Sequence, residues 1–358
     1  MADHTHIEWT DSTWNPITGC SIVSAGCTNC YAMGLAGTRL KHHPSRAGLT
    51  RESGGRHLWT GEVRFNEEWI DQPLRWRKPR RIFVCAHGDL FHEAVPDEWI
   101  DRVFAVMALA SQHTFQVLTK RPERMLRYLS QHDVGQRWAE MIDILRLVDA
   151  VIVWPETATS WTKNGLPNVW LGTSIEDQAA ADARTPHLLA TPAAVRFVSA
   201  EPLLGAMDLR RYLSVVPGLD WVIVGGESGP RARPMHPDWV RGLRDQCQAA
   251  GVAFFFKQWG EWSPCVLLGD DDGEPLAAYP MDGCFDGGSH RGDQEARFWQ
   301  DGEWVFWPYV QKLPAVGVRR VGKRAAGRLI DGRTWDGMAV AMGMAPEKDW
   351  MEEGRDAP

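Results

Sequence analysis

Short apolar runs recur along the chain, and each closes on polar residues. Residues 81–86 (RIFVCA) end in His87, Gly88 and Asp89, residues 114–119 (TFQVLT) end at Lys120, and residues 168–172 (NVWLG) run into Thr173, Ser174 and Glu176. Residues 195–199 (VRFVS) lead to Glu201 and Pro202, residues 221–224 (WVIV) to Gly225, Gly226, Glu227 and Ser228, and residues 252–256 (VAFFF) to Lys257, Gln258 and Trp259. Runs this short and this continuously apolar predict strands buried on both faces, as in a parallel sheet. Residues 7–19 predict one more strand at the N-terminus, opening into a loop.

Helical patterns fill most of the gaps. Pro96 and Asp97 open a helix in which Trp99, Val103 and Met107 share a face, with Ile100 and Phe104 beside them. Residues 31–40 suit a helix, Arg121-Pro122 starts another, and Pro237-Asp238 opens one that carries Trp239, Leu243 and Cys247 at four-residue steps. Alternation of strand and helix over seven strands predicts the α/β class. The expected architecture is a partial or full TIM-like parallel (β/α) barrel over residues 1–260. Residues 41–60 are polar and rich in Gly, His and Arg, which reads as a surface excursion.

Past residue 260 the alternation stops. Residues 269–273 and 286–292 are turn-rich, and residues 298–307 predict a hairpin around Asp301-Gly302. Residues 261–358 are therefore expected to form an irregular C-terminal extension that caps the barrel mouth or meets a partner.

In barrels of this kind the C-terminal strand ends carry the active site. His87, Asp89, Lys120, Ser174, Glu176, Glu201 and Glu227 would converge there on one rim. Each of them alone reads equally well as a helix cap or a solvated loop charge; their convergence is the signal.

Composition narrows the class. Hydrophobic residues at 44% and charged residues at 24% are ordinary for a globular protein. A net charge of −7 argues against non-specific coating of nucleic acid, while leaving room for a local basic groove. Most of the nineteen tryptophans read as interior filling, and the rest as lining for a flat ligand. The polar start lacks a signal-peptide pattern and no stretch nears the ~20 apolar residues of a membrane span. The expectation is a cytoplasmic, reduced chain with no membrane partner.

The candidate chemistry centres on Cys20, Cys27 and Cys30, in a C-x6-C-x2-C spacing. Three thiolates that close can hold a metal or cluster and leave one coordination position open. An iron–sulfur cluster uses such ligands. A zinc site would want a fourth, which His42 or His43 could supply, but zinc leaves the ring of polar strand ends without a purpose. Unligated thiols are the third possibility. Cys85 and Cys247 read as packing, and Cys265 and Cys284 as isolated residues of the tail. Residues 225–229 (GGESG) are either a loop that brings a carboxylate to a ligand's ammonium group or a tight strand-to-helix turn. Residues 317–323 match a phosphate loop up to Lys323, but Arg324 stands where Ser or Thr must bind magnesium, so an ATPase is rejected. With Arg319, Arg320, Arg328 and Arg333 this stretch forms a basic segment, either solvated or in contact with phosphates.

Several stretches carry a resemblance. Residues 7–16 (IEWTDSTWNP) with the three cysteines, 88–91 (GDLF), 118–122 (LTKRP), 172–176 (GTSIE), 201–204 (EPLL) and 225–228 (GGES) resemble a phage-associated, radical-SAM-like family. So do residues 256–260 (FKQWG) and 327–335 (GRLIDGRTW), and the family is distantly similar to spore photoproduct lyase. The resemblance implies a barrel of the radical SAM type, with a [4Fe–4S] cluster on Cys20, Cys27 and Cys30 and S-adenosylmethionine on the open iron. It also implies a reducing partner such as flavodoxin or ferredoxin, and cleavage of the sulfonium to a 5′-deoxyadenosyl radical. Two departures stand out. The first cysteine gap is six rather than three, with Asn29 before the last cysteine and Tyr31 after it. The Gly-Gly-Glu element expected after the second strand reads His87-Gly88-Asp89.

Carried over residue by residue, the resemblance makes Gly88 and Asp89 contacts for the methionine amine, and Ser174 and Glu176 contacts for ribose or carboxylate. Lys120, Glu201 and Glu227 become the catalytic candidates, facing cofactor or substrate. The implied reaction is isomerisation of an amino-acid-modified thymine in phage DNA, from nitrogen-linked to α-carbon-linked. Such hypermodification helps a genome evade host restriction, and would place a phage-encoded protein in the host cytoplasm. The alternatives are a radical SAM lyase acting on a pyrimidine lesion and a non-enzymatic zinc- or nucleic-acid-binding protein.

Overall fold

A computed structural model of the chain describes residues 5–146, 165–269, 275–280, 296–306 and 315–339. The seven expected strands are present: β1 Ser12–Trp14, β2 Arg81–Val84, β3 Thr114–Thr119, β4 Val169–Ser174, β5 Val195–Ala200, β6 Trp221–Gly225 and β7 Ala253–Gln258. They lie side by side in chain order, every neighbouring pair parallel. The order runs from β1 to β7 without closing, so the sheet is a curled half-barrel, a partial rather than a full barrel.

Burial on both faces explains the unbroken apolar runs. On the outer face Ile82, Val84, Phe115, Val117, Leu171, Val222 and Phe256 pack with the helices. These include α1 Tyr31–Gly37, α2 Asp97–Leu109, α3 Pro122–Leu129, α4 Val134–Arg146, α5 Gln178–Ala190 and α6 Pro237–Ala250. On the inner face a separate core holds Trp9, Phe83, Trp170, Phe197, Trp221 and Phe255. Gly172 makes room for it, since a Cβ there would stand 2.5 Å from the Phe197 ring. This aromatic layer forms a floor between the strands.

The β7 edge is covered by the chain's own return. Phe256 N donates to Trp335 O at 2.8 Å and Gly337 N to Phe254 O at 3.0 Å. An exposed edge strand would invite pairing with another chain; here three residues of the C-terminal region block it.

That region departs from expectation. Instead of an irregular extension it forms a five-stranded antiparallel sheet: β8 Trp262–Gly269, β9 Pro275–Pro280, β10 Ala296–Gln300, β11 Glu303–Phe306 and β12 Ala315–Arg320, in the order β9-β8-β12-β10-β11. The hairpin around Asp301-Gly302 is present, both residues at positive φ (50° and 90°), as a tight two-residue turn requires. Trp299 and Trp304 pack on Trp239 of α6, with ring centroids 5.1 and 6.1 Å away. Cys265 is buried in β8 and Cys247 in α6. Residues 270–273, residues 286–292 and Cys284 lie outside the described residues.

The polar excursion of residues 41–60 contains a hairpin, Thr50–Ser53 with Arg56–Trp59, that packs on α1. Among the described residues no helix is long and apolar enough to cross a membrane.

Candidate functional site

A cavity of about 490 Å³ opens at the C-terminal strand ends, above the aromatic layer, with Trp9 and Phe83 among its lining. Cys20, Cys27, Cys30, Gly88, Asp89, Lys120, Ser174, Glu201 and Glu227 all line it. Of the strand-end residues expected on the rim, His87 and Glu176 do not. Parallel strands force this convergence, because every run ends on the same side of the sheet.

The cysteine loop forms one wall, held at three points by three strand ends. After β3, Arg121 donates from Nη2 to Ser21 Oγ at 2.6 Å, and its Nη1 lies 3.7 Å from Cys20 Sγ. The same Nη1 donates to Asp89 Oδ2 at 2.8 Å, and Nε to Glu93 at 2.8 Å. After β4, Glu176 accepts from Gly26 N at 3.4 Å and from Arg184 of α5 at 2.9 Å. After β6, Glu227 accepts from Asn29 Nδ2 at 3.0 Å and is gripped by Arg233 at 2.6 and 2.9 Å. Gly19, just before the loop, forms a parallel bridge with Gly88.

Two of the expected cofactor contacts therefore spend their oxygens on the protein itself. Asp89, 4% exposed, also accepts from Thr119 Oγ1 at 2.7 Å and Phe91 N at 3.0 Å. Glu176, 1% exposed, sits behind the loop. Burial alone would raise the Glu176 pKa; Ser24, Lys120 and Arg184 outweigh it and hold the carboxyl below its usual range. Burial is likewise outweighed at Glu227, chiefly by Arg233 and then Asn29.

The three thiols are free and partly exposed. Burial first, and Asp89 second, push Cys20 up to about 12, against the opposing charge of Arg121. Burial raises Cys30 too, and Cys27 adds to it. Cys30 in turn raises Cys20, so the three thiols feel one another. A bound cation would remove this penalty by stabilising the thiolates. Among the described residues, no group of three or more His, Cys, Asp or Glu is arranged to hold a single metal ion. His42 and His43 do not line the cavity, and His43 Nδ1 is engaged by Ser45 Oγ at 2.6 Å.

Inside the cavity, Lys257 Nζ pairs with Glu201 Oε1 at 2.9 Å, and Ser199 Oγ donates to Glu201 Oε2 at 3.1 Å. The Gly225-Gly226 pair serves packing. A Cβ on Gly225 would lie 2.6 Å from Glu201 Oε1, and one on Gly226 would lie 2.0 Å from Trp259 O. Lys120 is half-buried and, among the described residues, makes no hydrogen bond or ion pair through its side chain.

Sequence reasoning passed over Arg121, Lys257, Tyr31 and Cys85. Arg121 looked like the first residue of a helix, although it directly follows Lys120 at a strand end. Lys257 occupies the same strand-end position as the other polar residues and was visible by that rule. Tyr31 lines the cavity with its hydroxyl tied to Ala86 O at 2.7 Å. Cys85 is buried as expected, yet it also lines the cavity and holds a φ of 57°, uncommon for a residue with a side chain.

Comparison with known proteins gives one family. A family model described as a protein of unknown function, DUF5131, matches residues 4–339. No curated protein and no solved structure gave a match. The matched span takes in the half-barrel, the cysteine loop and the C-terminal sheet. The chain belongs to the DUF5131 family of proteins of unknown function.

Proposed function

We propose that this protein is a radical SAM enzyme, with Cys20, Cys27 and Cys30 as the three ligands of a [4Fe–4S] cluster beside a cavity that takes S-adenosylmethionine and substrate. The observation that carries the reading is the cysteine loop itself: three free thiols on one cavity wall, each part of the loop anchored to a different strand end. When bound, cluster and cofactor would supply an electron and a carbon-centred radical able to take a hydrogen atom from the substrate.

The chain's own residues would divide the remaining work. Arg121 stabilises negative charge on Cys20 through its N–H; hydrogen bonds to ligand sulfur are a recognised lever on cluster potential. Asp89 and Glu93 hold Arg121 in place. Gly88 keeps the loop close, since a Cβ there would stand 2.8 Å from Ile17 O. Lys120, without a side-chain partner among the described residues and near enough to influence Cys30, is suited to the methionine carboxylate, with the Ser174 hydroxyl beside the same space. Glu201 and Lys257 form an ion pair that faces cofactor or substrate. Glu227 and Glu176 act by positioning the loop. The aromatic floor excludes water from below, which protects reactive species.

The resemblance directs this chemistry to modified pyrimidines in DNA. Isomerisation of an amino-acid-modified thymine is the leading reaction, and lyase chemistry on a pyrimidine lesion the second. Anaerobic reconstitution with iron and sulfide tests the ligand assignment. A brown protein with a cluster spectrum is expected, lost when any one of Cys20, Cys27 or Cys30 becomes alanine. A wild-type chain that stays colourless would overturn the assignment.

A further inference from the structure

The rim of the cavity carries charge that its walls do not cancel. Inside, every lining carboxylate has a cationic partner: Asp89 with Arg121 at 2.8 Å, Glu201 with Lys257 at 2.9 Å and Glu227 with Arg233 at 2.6 Å. The turn at residues 229–231, just beyond Glu227 and Ser228, is different. Arg320 donates there to the Gly229 carbonyl at 3.3 Å and the Pro230 carbonyl at 2.8 Å. Arg231 donates to the Gly55 carbonyl at 3.3 Å, and its own carbonyl accepts from the cavity-lining Asn29 at 2.9 Å. Lys323, exposed at the start of α7 Lys323–Ala326, lines the cavity and makes no hydrogen bond or ion pair through its side chain among the described residues.

Backbone carbonyls orient a guanidinium without neutralising it. Neither Arg231 nor Arg320 has a carboxylate partner among the described residues. The carboxylate at this turn, Glu261, accepts from Gly229 N at 2.9 Å and makes no ion pair among them. Three cations thus stand against one carboxylate, on a chain whose net charge is −7. A merely solvated face would scatter such charges. Here two are fixed on one turn and the third lines the cavity beside it.

The cavity mouth also offers a flat apolar surface. Tyr31 is 54% exposed and lines the same cavity, its ring steadied by the hydroxyl's bond to Ala86 O and by the edge of His87. Cations that track a backbone next to a ring that can stack are how single strands are held. A base must in any case leave a duplex to reach a reacting atom inside a pocket.

We propose that this rim binds a single strand of nucleic acid, its phosphates on Arg231, Arg320 and Lys323 and one base turned past Tyr31 into the cavity. The inference rests on the proposed function for what happens to the base; binding itself needs neither cluster nor cofactor.

Fluorescence anisotropy with the full chain and a labelled thymidine oligonucleotide of about twelve nucleotides tests it. Three neutralised phosphates on a single strand give a slope of log K against log salt of about −2, or about twenty-fold weaker binding between roughly 50 and 200 mM. Lys323→Ala should reduce the slope by about 0.7. Arg231→Gln, Arg320→Gln and Lys323→Gln together should nearly abolish it with an unchanged circular dichroism spectrum. Tyr31→Leu should weaken binding about tenfold, and Tyr31→Phe should not. An unchanged slope in the triple variant overturns the proposal. So does duplex bound as tightly as single strand, or thymidine monophosphate bound as tightly as the oligonucleotide. Strand binding without cofactor cleavage would sink the radical chemistry and leave the rim standing; cleavage without strand binding would sink the rim alone.

Discussion

Nη1 of Arg121 lies 3.7 Å from Sγ of Cys20, and the same nitrogen donates to Asp89 Oδ2 at 2.8 Å. A strand-end guanidinium therefore ties a buried carboxylate to the first thiol of the cysteine loop. Replacing it with methionine leaves Asp89 buried and unpaired, which should cost about 3–5 kcal/mol of stability in urea unfolding. Arg121→Lys keeps the charge but loses the planar fork. It should restore most of the stability while shifting the potential of the reconstituted cluster. A potential identical to wild type would show that Arg121 acts on the fold alone.

The second clamp on the loop is Glu227 on Asn29. Glu227→Gln trades a charged hydrogen bond of about 1.5–3 kcal/mol for a neutral one of about 0.5–1.5 kcal/mol, so the loop should open roughly five to ten times more often. In the metal-free protein, Cys27 and Cys30 should then react faster with a thiol reagent, while the circular dichroism spectrum stays the same. Equal labelling rates in the two proteins would remove Glu227 from the clamp.

The two glycines before Glu227 should differ in their tolerance of alanine. At Gly225 a new Cβ meets the end of the Glu201 side chain, which can swing aside at the expense of its Lys257 pair. At Gly226 it meets the Trp259 backbone, which cannot. Gly226→Ala should cost more in thermal or urea unfolding, at or above the ~1–3 kcal/mol typical of overpacking. Gly225→Ala should chiefly disturb the cavity.

His87 should make the fold sensitive to acid. Burial first, and the charge of Arg46 second, push its pKa from 6.5 down to about 4. Because the unfolded chain takes up this proton more readily, the contribution to stability is complete above pH ~6.5. It is lost as pH falls toward ~4, reaching about 2–3 kcal/mol at pH ~4.5. The stability difference between wild type and His87→Gln should shrink by that amount between neutral pH and pH ~4.5. A difference that does not change with pH would show that His87 titrates normally.

Much of the half-barrel was legible because its strands are buried on both faces, as the run 221–224 shows: every residue of β6 is buried. The rim followed from topology, since parallel strands must end together. The C-terminal sheet was not legible. Its strands are joined by turn-rich segments rather than by helices, so the strand–helix alternation that marks the half-barrel is missing and only the hairpin at Asp301-Gly302 carried a local signal. The functions of Asp89 and Glu176 were hidden for another reason. Which carboxylate faces a cavity and which is spent on Arg121 or Arg184 depends on partners about thirty and eight residues away, brought together only by packing. Composition alone could not have separated Lys120, whose side chain has no partner among the described residues, from Lys257, paired with Glu201.

The central claim, that Cys20, Cys27 and Cys30 serve a radical-forming cluster, is tested most directly by the fate of S-adenosylmethionine. The reconstituted wild-type protein, reduced with dithionite under anaerobic conditions, should convert it to 5′-deoxyadenosine even without substrate. The three cysteine-to-alanine variants, folded and treated alike, should yield none. A wild-type chain that carries its cluster, binds the cofactor and releases no 5′-deoxyadenosine would contradict the account.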